Sequence, residues 1–64
     1  MQAQSISITV TFTDEQAWVF AQFLKRVSVH EYRLNAIDDS EAYDMVEAGE
    51  VIRRALASQG YDPR

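Results

Sequence analysis

The chain has 64 residues, a formal net charge of −4 and no cysteine. A domain this short buries only about 60% of its unfolded surface, so we expect modest stability. The protein is expected to be a monomer or a homodimer, and either dimerisation or docking on a partner would relieve the marginal stability. Without cysteine there is no disulfide and no thiolate metal site, and a single histidine is too few ligands for structural zinc. A pI of about 4.6 argues against direct binding to nucleic acid or to anionic membranes, which depends on cationic groups.

The composition, 47% hydrophobic and 25% charged, is that of one folded domain spanning residues 1–64. The first five residues lack the basic and apolar regions of a signal peptide. No segment approaches the ~20 apolar residues that span a bilayer. We therefore expect a cytoplasmic protein.

Residues 5–12 alternate between apolar and hydroxyl side chains, which predicts a half-buried β-strand with Ile8 and Val10 in the core. A lone strand leaves its backbone amides and carbonyls without partners. Something must therefore pair with it. The candidates are a second copy of the chain, residues 33–37 or the C-terminal tail, and the sheet edge of a partner protein.

Three helices are predicted after this strand. Thr13 and Gln16 have capping-box spacing and predict a helix from about Asp14 to about Val27. Its apolar stripe comprises Ala17, Phe20, Ala21, Leu24 and Val27.

Ser28 and Glu31 repeat the capping-box spacing, and predict a short helix from Ser28 to about Asn35. Asp38 opens the last helix, with Glu41 three residues later completing another capping box, and the helix is expected to end near Gln59 because Gly60 follows.

The apolar positions of the last helix include Gly49, interpreted as a point of close packing against another helix. The predicted fold class is α+β: a small single domain in the order β-α-α-α.

The sequence contains no catalytic pattern. The only histidine, His30, is followed by Glu31, and adjacent helical residues point about 100° apart. There is no glycine-rich phosphate loop, and the acidic residues from Asp38 onward lack EF-hand spacing. We therefore expect no enzyme activity, no cofactor and no metal.

A run of acidic residues is the strongest functional signal. No lysine or arginine occurs between Arg33 and Arg53. The acidic run comprises six carboxylates: Asp38, Asp39, Glu41, Asp44, Glu47 and Glu50. At 1.5 Å of helical rise per residue, the run carries about one charge per 3 Å, against one per ~1.7 Å of duplex DNA. It is either a merely solvated face, with Glu50 paired to Arg53 or Arg54, or a surface that attracts a basic partner.

Trp18 projects away from the main apolar stripe of its helix. It either covers the sheet edge or Tyr61 in a small second cluster, or is a partly exposed anchor for a partner, since tryptophan is enriched in interface hot spots.

The stretches Thr11–Trp18 and Asp38–Tyr43, in a short, acidic, cysteine-free chain, resemble small anti-CRISPR proteins of phages and mobile elements, most closely inhibitors of type I CRISPR systems and, among these, of type I-C. The resemblance implies DNA mimicry. The acidic run would occupy a Lys/Arg-lined site on the large subunit of the surveillance complex and exclude target DNA.

Two alternatives remain. The predicted strand and first helix also resemble the start of a ribbon-helix-helix regulator, a dimer whose paired strands enter the major groove. Its outward residues here, Ser5, Ser7, Thr9 and Thr11, include no basic side chain. The other alternative is an antitoxin-like accessory protein that binds a basic protein.

Overall fold

The computed structural model describes residues 4–64, and within that range the protein is all-α. It contains three helices, α1 (Asp14–Arg26), α2 (Val29–Leu34) and α3 (Asp39–Ser58). The predicted helices are confirmed to within one or two residues at each end. The predicted α+β class is wrong, because no strand forms in residues 4–64.

Side-chain caps fix where the helices begin. At α1, the Thr13 hydroxyl accepts a hydrogen bond from the Gln16 amide at 3.1 Å, and the Gln16 side chain accepts one from the Thr13 amide at 3.0 Å. Ser28 and Glu31 form the same reciprocal pair at α2. These contacts satisfy amides that the first helical turn leaves unpaired, and they confirm two of the three predicted capping boxes.

The start of α3 differs in one detail. Asp38 accepts from the Glu41 amide at 2.8 Å as predicted, but the Glu41 side chain accepts from the Ile37 amide at 3.0 Å, one residue earlier than a capping box requires, so the third predicted capping box does not form. The helix ends at Ser58, two residues before Gly60, whose φ of 98° lies in the left-handed region that glycine adopts without strain.

The core lies where α1 packs against α3. It is built from Ala17, Ala21 and Leu24 of α1 and from Leu56 of α3, with Phe20 and Tyr61 packed around them. This confirms four residues of the predicted stripe of α1, whereas the fifth, Val27, is the half-buried C-cap of the helix and lies outside this core. Small alanines allow the helices to approach closely, but they bury little apolar area, so the core is thin for a domain of this length.

Gly49 is the contact point between α3 and its neighbours. A Cβ atom placed there would overlap the Tyr32 hydroxyl of α2 and lie 3.6 Å from a methyl group of Leu24. The predicted close-packing role of this glycine is confirmed.

The segment before α1 does not join the core. Ile8 is 74% exposed and Val10 is 62% exposed, so the prediction that they are buried is wrong. No backbone hydrogen bond joins residues 5–12 to another described residue. A strand needs a neighbouring strand, and neither predicted partner within the chain supplies one.

Both predicted internal partners are engaged elsewhere. Residues 33–37 complete α2 and the turn into α3. The C-terminal tail lies on α1, where the Tyr61 hydroxyl donates to Asp14 at 2.6 Å and the Lys25 ammonium group donates to the Pro63 carbonyl. The segment 5–12 is attached to the helices at its end, where the Phe12 ring lies 6.0 Å from that of Phe20.

Candidate protein-interaction site

The acidic run lies at the N-cap and along the first three turns of α3. Four of its carboxylates are exposed, and Glu41 and Glu50 are half-buried. Two of the six serve the start of the helix: Asp38 caps the Glu41 amide, and Glu41 caps the Ile37 amide. A partner that took over these oxygens would weaken the start of α3, because each hydrogen bond satisfies a helix-end amide.

Asp39 is paired with a cation that is distant in sequence. The turn between α2 and α3 places Arg33 Nε 3.4 Å from a carboxylate oxygen of Asp39. The Arg33 guanidinium also donates to the Tyr43 hydroxyl at 3.3 Å and lies 6.0 Å from the centre of its ring. One end of the acidic run therefore carries its own counter-charge.

Glu50 is paired at the other end of the run. Arg53 donates two hydrogen bonds to it, at 2.8 and 3.1 Å. The Arg53 hydrogen bonds hold the pKa of Glu50 below its ordinary value, and Glu50 in turn raises that of Arg53. The sequence predicted Arg53 or Arg54 as the partner of Glu50, and the pair with Arg53 is confirmed. This end of the acidic run therefore also carries its own counter-charge.

Asp44 and Glu47 are left as the uncompensated pair. Both are exposed, and neither has an ion pair or side-chain hydrogen bond with any residue in the range 4–64. A spacing of three residues places their side chains on one face of α3. This Asp44–Glu47 face is the part of the acidic run that can meet a cation without breaking an internal contact.

Trp18 lies apart from the acidic run, in a small aromatic cluster. Its ring meets that of Tyr61 edge-on, with 5.1 Å between centroids, and it is 38% exposed. The Tyr61 hydroxyl donates to Asp14, and this hydrogen bond raises the pKa of Tyr61. The interpretation of Trp18 as a cluster residue beside Tyr61 is confirmed as a contact, while its role as a partner anchor stays a prediction.

The remaining polar groups of residues 4–64 do not converge on a metal site. His30 is exposed on α2. Across residues 4–64, no three His, Asp or Glu side chains are grouped closely enough to hold a metal ion. None of the helices in that range is both long and apolar enough to cross a membrane.

Sequence reasoning missed an apolar surface beside the helices. Ile8, Val10 and Phe12 line a groove together with residues of the second half of α3. On α1, Val19 and Phe23 are 63% and 53% exposed. The alternating pattern of residues 5–12 identified apolar side chains that need cover, but not what would cover them.

The chain matches the model of DUF7706, a family of unknown function, over residues 1–64, and therefore belongs to that family. No curated protein and no solved structure matches it.

Proposed function

We propose that this member of the DUF7706 family is an inhibitor that binds a Lys/Arg-rich, nucleic-acid-binding surface of another protein and blocks access of DNA. Asp44 and Glu47 carry the proposal, because they are exposed and have no cation beside them in residues 4–64. The partner class is the one implied by the anti-CRISPR resemblance: the large subunit of a type I surveillance complex, with type I-C as the subtype to test, in the bacterial cytosol.

Contact with a basic partner should cost less free energy at the Asp44–Glu47 face than at the other carboxylates of the acidic run. Asp39 and Glu50 would have to leave Arg33 and Arg53, and Asp38 and Glu41 would have to leave backbone amides. Lysines or arginines of a partner can approach Asp44 and Glu47 without those losses. The other carboxylates add to the long-range attraction of a chain with net charge −4, which speeds encounter with a basic surface.

A charge reversal with a matched control tests the proposal. The double variant D44K/E47K changes the net charge as much as E15K/D62K, which reverses two exposed carboxylates outside the acidic run. Each protein is added to a purified type I-C surveillance complex and its target duplex, and DNA binding is measured by gel mobility. We expect wild type and E15K/D62K to prevent binding and D44K/E47K to permit it.

The same gel contains the outcomes that overturn the proposal. If D44K/E47K melts like wild type and still blocks DNA, the Asp44–Glu47 face is not the contact. If the wild-type protein alone shifts the duplex, the ribbon-helix-helix alternative replaces inhibition by mimicry. If it neither shifts DNA nor affects the complex, the antitoxin-like alternative, with a different basic protein as partner, is favoured.

A further inference from the structure

The single chain exposes more surface than a folded domain of its mass normally does. Its accessible area is 5526 Å², whereas a compact monomer of 7.3 kDa is expected to expose about 4,200 Å². Its radius of gyration is 13.0 Å, against about 11 Å for a compact chain of this length. The excess of roughly 1,300 Å² exceeds the ~800 Å² that each partner buries in a standard interface.

Much of the exposed apolar surface surrounds one groove. Three alternate residues of the N-terminal segment, Ile8, Val10 and Phe12, line it from one side. The second half of α3 lines it from the other side, through Val51, Ile52, Ala55, Leu56 and Gln59. Residues that share one side at every second position have the geometry of an extended chain. We name this surface the segment–α3 groove.

Two properties of the groove select its occupant. None of its lining residues is charged, so two copies of a chain with net charge −4 can meet here without placing like charges in contact. The backbone groups of residues 5–12 are also unpaired within residues 4–64. An extended segment with free amides and carbonyls is complementary to a second such segment running antiparallel.

We propose that a second copy of this chain occupies the segment–α3 groove, so that the protein is a two-fold symmetric dimer in which residues 5–12 of the two copies lie antiparallel. Each copy supplies the hydrogen-bonding partners that the other lacks. Each also covers the apolar side chains that flank the groove. The inference does not depend on the proposed function.

The available area is sufficient for such a dimer. The exposed part of six apolar residues at the groove and its N-terminal end amounts to roughly 600 Å² per chain, or about 1,200 Å² for two copies, the lower end of the range for stable interfaces. These residues are Ile6, Ile8, Val10, Phe12, Val51 and Ile52. A mostly apolar contact is typical of homodimer interfaces.

Two valines provide a matched test. Val10, in the groove, is 62% exposed, and Val19, on the outer face of α1, is 63% exposed. Wild type, V10D and V19D are compared by sedimentation equilibrium over a range of concentrations. We expect wild type and V19D to be dimers, and V10D to dimerise at least ~100-fold more weakly, because the dimer would bury two unpaired carboxylates.

A crosslinking scan covers the case in which V10D does not fold. The native chain has no cysteine, so single cysteines at positions 7, 8, 9 and 10 report on self-contact alone. In a two-fold antiparallel pair, only the one or two residues nearest the axis approach their own copy within disulfide distance. We expect oxidation to give a covalent dimer most efficiently at one of these positions or at two adjacent ones, and not with V19C.

Three results would overturn the proposal. A wild-type protein that remains monomeric at every concentration would leave the groove to an unrelated partner. A dimer that V10D does not weaken would place the interface elsewhere, and a dimer lost in V19D would place it on the outer face of α1. Crosslinking of equal, low efficiency at all positions would exclude antiparallel pairing.

Discussion

The helical core and the N-terminal segment are both rich in apolar residues, yet their environments are opposite. Ala21 in the core is 0% exposed, while Ile6 in the segment is 85% exposed. The larger side chain is the one that is not covered, although burying it would release more free energy. The difference indicates that small residues allow α1 to pack closely on α3, whereas the larger residues of the segment stay exposed within residues 4–64.

The largest expected effect is loss of folding, which should occur for a charge placed in the helical core but not for one placed in the N-terminal segment. Ala21→Asp places a charge in the closely packed contact between α1 and α3 and should cost several kcal/mol, enough to unfold a domain of this size. Ile8→Asp places the same charge on an exposed residue of the segment. Far-ultraviolet circular dichroism should show loss of helix for A21D and retention for I8D. Equal loss in both would mean that the segment belongs to the folding core.

Trp18 should have an intermediate effect. Its contact with Tyr61 attaches the C-terminal tail to α1, so Trp18→Ala should lower the free energy of unfolding by about 2 kcal/mol, less than for a fully buried aromatic residue. Val19→Ala, on the exposed face of the same helix, is the control and should change it little. If W18A melts like wild type but loses its partner, Trp18 is an interface anchor and not a cluster residue.

Substitution of Gly49 should change the free energy of unfolding by a smaller amount, and Tyr32 decides whether the change is stabilising or destabilising. Gly49→Ala gains about 1 kcal/mol of helix propensity, but its Cβ would overlap the Tyr32 hydroxyl. We expect G49A to destabilise the wild-type background and to stabilise Tyr32→Phe, in which the overlapping atom is absent. Urea unfolding of the double-mutant cycle measures this coupling. Additive effects would show that α2 and α3 do not pack at this point.

The smallest effect concerns the cap of α2. The Ser28 amide donates to Glu31 and lowers the pKa of Glu31 from its ordinary value of 4.5. This contribution to stability is therefore fully present above pH 4.5 and is lost as the pH falls through the lowered folded-state pKa. Glu31→Gln keeps an acceptor oxygen without the titration, so its melting temperature should fall less steeply with acid. Identical slopes for the two proteins would argue that the cap does not titrate.

The helices could be predicted from sequence because their signals are local. Thr13 with Gln16 and Ser28 with Glu31 satisfy amides within one turn, and Gly60 ends α3 through its own backbone conformation. The segment 5–12 could not be placed, because alternation shows which side chains need cover but not what covers them. The acidic run lies on α3 as predicted. The neutralisation of Asp39 by Arg33 could not be predicted, because only the turn before α3 brings these two residues together.

Amide hydrogen exchange can distinguish the helical core from the N-terminal segment. It is measured at two protein concentrations, one above and one below the dissociation constant of the proposed dimer. We expect the amides of residues 17–24 in α1 to be protected at both concentrations, because their hydrogen bonds lie within the helix. Amides of residues 5–12 should be protected only at the higher concentration, where a second copy pairs with them. Protection of residues 5–12 at the lower concentration, where the chain sediments as a monomer, would contradict the proposal that a second copy pairs with them.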